Sequence, residues 1–140
     1  MRKLAVIIVV VVSGLTVAGC GGGSSRSQSA FCNKVKSVKN DAKLNDLTNS
    51  QDPAKIKAGF QRASTAFNDM EKKAPTSIDA DMKKVAQAID ALNTEIKRVN
   101  GDVSKIDQTK VAQLSGQDFQ TAGDNVTKFA KDKCGVDLNS

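Results

Sequence analysis

The sequence predicts an all-α fold, an antiparallel four-helix bundle, and three observations carry that expectation. Ile78, Met82, Val85, Ile89, Leu92, Ile96 and Val99 are spaced 4, 3, 4, 3, 4, 3, an apolar stripe kept over three heptads. Ile56, Phe60, Ala63, Phe67, Met70 and Ala74 repeat that spacing just upstream. Cys32 and Cys134 stand near the two ends of the patterned region. Alternation of the kind a strand needs does not persist anywhere, and aromatic residues are few.

The first helix is expected over residues 31–47. Phe31, Val35, Val38 and Ala42 step 4, 3, 4, with Leu44 and Leu47 slightly off the line, and 48–52 form the turn. The second begins at Asp52-Pro53, an N-cap followed by proline where its missing N–H costs nothing. It ends at Pro75. Gly59 inside it costs up to about 1 kcal/mol relative to alanine, and close approach of a neighbouring helix would account for it. The third helix follows Thr76, read as its N-cap with Asp79 at the third position, and stops at Asn100-Gly101. The last leg, residues 103–133, is the least regular. Ser115-Gly116 marks a kink or interruption near Gly116, with Ser115 able to cap a restart. The tail 136–140 is too short to need structure of its own.

The first nineteen residues read differently. Arg2 and Lys3 precede an unbroken apolar run from Leu4 to Val12, the layout of a secretory signal peptide. The run is shorter than the roughly 20 residues that span a bilayer. It ends in Val17-Ala18-Gly19-Cys20. Those residues resemble the lipobox of bacterial lipoprotein precursors, with valine where leucine is more usual. The resemblance implies cleavage after Gly19, diacylglycerol on the Cys20 thiol (the palmitate-type anchor of that class), and a place on the extracytoplasmic face of the cell membrane. With the helical body and Lys133-Cys134-Gly135, the chain is similar to the small exported helical lipoproteins of Gram-positive and actinobacterial genomes. Only the lipobox is specific, and the class brings no catalytic or binding residues to map.

The organisation expected is therefore a signal peptide over 1–19, a lipid-anchored flexible linker over 20–30, a helical domain over 31–135 and a tail over 136–140. The linker Gly21–Ala30 is glycine and serine with no apolar periodicity. Losing Arg2 and Lys3 lowers the net charge from +6 to +4.

With Cys20 given to lipid, Cys32 and Cys134 remain. An exported chain meets oxidising conditions, where a disulfide forms and lasts. Two free buried thiols are the alternative reading. Zinc is a poor fit, because the chain has no histidine and no carboxylate cluster beside the two sulfurs. A Cys32–Cys134 bond requires Cα atoms within about 7 Å. In an up-down bundle the two positions meet only when the number of long helices is even, and four fits the pattern.

Chemistry is sparsely represented. Without histidine there is no Ser-His-Asp or Cys-His constellation. Ser77 and Ser104 sit where capping is the ordinary role. Asp79 and Asp81, or Asp69 and Glu71, are two apart and share no helix face. No phosphate loop follows the glycine run. Met70 and Met82 could ligate haem in principle, but both lie on the core stripe. The expectation is no catalytic, cofactor or metal residue. Lysine and aspartate read as interleaved along the helices, and Arg is scarce, which argues against nucleic acid. The membrane, through lipid on Cys20, is the first expected partner, and an envelope protein or anionic cell-wall polymer the second. A binding or structural module is the leading class. A carrier of a small apolar or amphipathic ligand between helices is the other, and an apolar void above about 300 Å³ would favour it.

Overall fold

The computed structural model describes residues 26–46 and 50–138. Cys20, the signal segment 1–19 and the linker residues up to 25 lie outside them. The described residues form six α-helices and no strand. They are α1 (Gln28–Lys39), α2 (Ala42–Asn45), α3 (Pro53–Lys73), α4 (Asp79–Arg98), α5 (Gln108–Leu114) and α6 (Gln117–Cys134). A 3-10 turn, Val103–Lys105, joins α4 to α5. The fold is all-α, a helical bundle in which α3 packs on α4, α4 on α6, and α1 on both α3 and α6.

α1 starts earlier than the apolar spacing suggests. The Ser27 side chain accepts from the Ala30 N–H and caps it, so three residues of the expected linker are helical. The helix also stops at Lys39 instead of running to 47. Asn40 and Asp41 interrupt it, and Asp41 caps α2 by accepting from the Lys43 N–H. Short polar side chains that bond their own backbone favour caps over helix interiors. Ala42, read as part of the first stripe, is consequently exposed.

α3 begins as Asp52-Pro53 dictates, with the Asp52 carboxylate accepting from Ala54 and Lys55. α4 departs from expectation at its start. Thr76 lies in a turn, and the helix starts at Asp79 after Ile78, without a side-chain cap. Its end is a Schellman motif. Asn100 adopts φ 53°, the Gly101 N–H donates to Ile96 O at 2.8 Å, and the Asn100 N–H donates to Lys97 O at 3.1 Å. The last leg is interrupted where the glycine stands, since α5 ends at Leu114 and α6 begins at Gln117. Ser115 does not cap the restart. Its hydroxyl donates back to Val111 O, and Gly116 takes the N-cap position.

The main core lies toward the start of α1. Phe31, Val35, Met70, Ala74, Ile78, Met82, Val85, Ala122, Val126 and Ala130 close on one another there. The Phe31 and Phe129 rings meet edge to face at 5.7 Å. The tail contributes as well. Val136 is buried and Leu138 packs against the core, so the residues read as a free tail complete it. Ile56, Ile96 and Val99 are buried at the opposite end, outside this cluster. Ile89 and Leu92, mid-stripe on α4, are only half-buried.

Cys32 and Cys134 are bonded, with Cα atoms 5.1 Å apart and a sequence separation of 102. The bond ties the second turn of α1 to the last residue of α6.

Candidate functional site

α3 is where charge and open surface coincide. From Pro53 to Asn68 it carries Lys55, Lys57 and Arg62 and no acid. The interleaving expected of every helix fails here. Ile56, Gly59, Ala63, Ala66 and Met70 face inward and are buried. The intervening positions Ala58, Gln61, Arg62 and Thr65 are exposed, and small or polar, so they leave a shallow furrow and not a ridge.

Three open clefts share lining residues along this furrow. One of about 300 Å³ lies between Lys43, Asp46, Ser50, Lys55, Ala58 and Arg62. A second, of about 390 Å³, runs on past Arg62 to Lys34 and Thr65, with Asp41 on its wall. A third, of about 540 Å³, lies between Asp52, Pro53, Lys57, Gln61 and Asn100. Two elements set the walls. The Asp41 cap turns α2 across α3, and the end of α4 delivers Asn100 to Lys57, whose Nζ donates to Asn100 Oδ1 at 3.1 Å.

The cations along the furrow are unequally engaged. Arg62 reaches Asp41 at 3.8 Å, a loose pair between partly exposed groups. Lys34 holds Asp69 at 3.1 Å. That hydrogen bond is the main cause of an Asp69 pKa below the ordinary carboxylate value, with Lys72 and Lys73 adding to it against the effect of burial. Lys43 and Lys55 make no ion pair among the described residues. Cationic side chains spaced along a shallow furrow suit an extended anionic partner more than a small one, because no single point gathers them.

On the other side of α2 is a cleft of different character. Val38, Leu44, Ala63, Phe67 and Leu138 line about 450 Å³ with Lys39 and Asn45 at the edge. Phe67 and Val38 are partly buried there, so apolar surface stays accessible.

Residues singled out in sequence, and several that were not, have structural duties. Asp41, Asp52, Asp102 and Asp107 accept from backbone N–H groups at the starts of helices or turns. Ser104 bonds Asp102 within its own turn. Asp79 and Glu71 both pair with Arg26. Asp90 accepts from Ser64 and Asn68 and joins α4 to α3. Met70 and Met82 are sealed in the core. Among the described residues no three His, Cys, Asp or Glu side chains gather as a metal site, and no helix is long and apolar enough to cross a membrane. The furrow was missed in sequence because its signal is an absence, sixteen residues without an acid, and not a motif.

No protein-family model, no curated protein and no solved structure matches the chain.

Proposed function

We propose that the chain is a lipid-anchored binding module of the extracytoplasmic membrane face, which works by holding a partner and not by catalysis. Cys20 carries diacylglycerol in this reading. α1, α3, α4 and α6 act as an antiparallel four-helix bundle, closed into one body by the Cys32–Cys134 bond. The partner is an envelope protein or an anionic cell-wall polymer, taken up along α3. One observation supports this above the others: Lys55, Lys57 and Arg62 of α3, a helix with no acid before Asp69, and Lys43 of α2 line adjoining open clefts, with Asp41, Asp46 and Asp52 on their walls.

The test is cosedimentation of the acylated protein with purified anionic cell-wall polymer. Reversing Lys55 and Arg62 to glutamate is expected to weaken binding at least about tenfold, and binding to fall steeply as salt shortens the screening length from about 10 Å to 3 Å. Binding that ignores both changes would sink the reading.

A second reading, a carrier of a small amphipathic molecule, has the apolar cleft of about 450 Å³ behind it. That cleft exceeds the volume set for it above but opens to the surface instead of lying between packed helices.

A further inference from the structure

The anchored end of the body carries its own charge, and the chain fixes which end that is. Arg26 is the first described residue, and its guanidinium pairs with Glu71 at the end of α3 and with Asp79 at the start of α4. Two residues later the Gln28 side chain donates to Lys133 O near the end of α6. The chain therefore enters the body at the end formed by the first turn of α1, the α3–α4 turn and the last turn of α6. Six Cα–Cα steps separate Cys20 from Arg26, at most about 20 Å fully extended. The tether is half the twelve steps that separate Cys20 from Cys32.

The charges on this end are unequally paired. Lys72 and Lys73 close α3, and Lys131 and Lys133 close α6. They complement the negative ends of two helix dipoles. The acids nearby are mostly engaged: Asp69 by Lys34, Glu71 and Asp79 by Arg26, and Asp137 by Lys131 at 3.1 Å. Asp132, which is exposed, and Asp81, bonded only to Asn125 among the described residues, line one cleft with Lys128 and Lys133 and stand against them. Lys72, Lys73 and Lys133 make no ion pair among the described residues.

We propose that Lys72, Lys73 and Lys133 form a docking face for anionic phospholipid headgroups, so that the body stands upright on the bilayer instead of tumbling on its tether. This rests on the lipid-anchoring reading. It places the α3–α4 turn against the membrane, turns the α3 furrow sideways, and sends the Gly101 end outward. Lys57, bonded to Asn100, and Lys105, paired with Asp102, mark that outer end. A lysine near an anionic surface gains roughly a fivefold preference for it.

The acylated full chain is inserted into vesicles of phosphatidylcholine alone or with phosphatidylglycerol. Its lysines are then labelled by an amine-reactive reagent and read by mass spectrometry. Labelling of Lys72, Lys73 and Lys133 is expected to slow roughly fivefold on the anionic vesicles, and the difference to vanish in 1 M salt. Lys57 and Lys105 should label alike on both. The K72E/K73E/K133E chain should stay on the vesicles through its acyl group and lose the difference at the remaining lysines of that end. Equal labelling of all lysines on both vesicles overturns the docking face and leaves the anchor standing. Protection at Lys43 and Lys55 instead also overturns it, since the furrow would then lie on the bilayer. A Cys20 without acyl mass in membrane-purified protein overturns the anchor and the docking face together.

Discussion

Gly101 shows how much one residue can carry. Its φ of 84° is a backbone state that side chains rarely adopt, and a Cβ there would lie 2.0 Å from Pro53 O. It therefore combines a left-handed turn with contact between the end of α4 and the start of α3. Gly135, with φ 64°, separates the two effects, because a Cβ there meets nothing within 4 Å. Gly135→Ala is expected to cost about 1 kcal/mol from backbone strain alone. Gly101→Ala should cost at least about 3 kcal/mol, since backbone must also move. Urea midpoints of the two variants check the order, and equal losses would show that the Pro53 contact is unimportant. Half of this was legible: Asn100-Gly101 reads as a helix stop, but nothing local announces that Pro53, 48 residues earlier, presses against it.

Among the elements, α5 is weakly held, seven residues with none buried. It is pinned to α4 by Glu95, whose carboxylate accepts from Lys110 at 2.6 Å and from Arg98 at 2.8 Å. Those bonds, Lys110 first, hold the Glu95 pKa below its ordinary value although burial pushes it up. The folded state thus binds this proton less readily than the unfolded state. The stabilisation is fully present above the ordinary glutamate range, roughly 4.3, and is lost as pH falls through the lowered folded value. Amide exchange in α5, taken relative to the unprotected rate at each pH, should therefore accelerate selectively below about pH 4. In Glu95→Gln it should be fast already at neutral pH and change less on acidification. Exchange in α5 that tracks the whole body at every pH would count against the latch. The sequence places the apolar stripes of α3 and α4 well because heptad spacing is local information. It misplaces the ends of α1, which are set by where Ser27 and Asp41 found free N–H groups, and the start of α4, which begins after the 76–78 turn with no side-chain cap at all. It also gives no hint of Glu95 as an inward residue, since its burial depends on α5 folding over it.

For the whole molecule, the disulfide is the long-range feature that the sequence does reveal. Two cysteines left once Cys20 is read as a lipid-attachment residue, in a chain expected to be exported, point to one pairing, and their meeting constrains how the long helices are arranged. What stayed hidden at this scale came from chain ends: Arg26 and Val136 look like linker and tail, yet one braces the α3–α4 turn and the other fills the core. Cys32→Ser with Cys134→Ser should lower stability by up to about 4.7 kcal/mol if the loop-entropy account holds. Thermal unfolding of reduced and oxidised protein measures it, and an unchanged midpoint would show the bond to be incidental.

The closeness of Gln28 to Lys133 has a further use. A circular permutant could join Leu138, which lies beside Val38 and Leu44, to Arg26 through about six residues that run back along α1, a reach of about 20 Å, and open the chain at Ser115-Gly116, where no helix is cut. The same two sulfurs would then bridge roughly 15 residues of chain in place of about a hundred, for which loop entropy gives about 3 in place of about 4.7 kcal/mol. Reduction should consequently hurt the native order more than the permuted one, by about 1.7 kcal/mol. An equal loss in both would mean that the bond works in the folded state, by holding α1 against α6, and owes little to the unfolded chain.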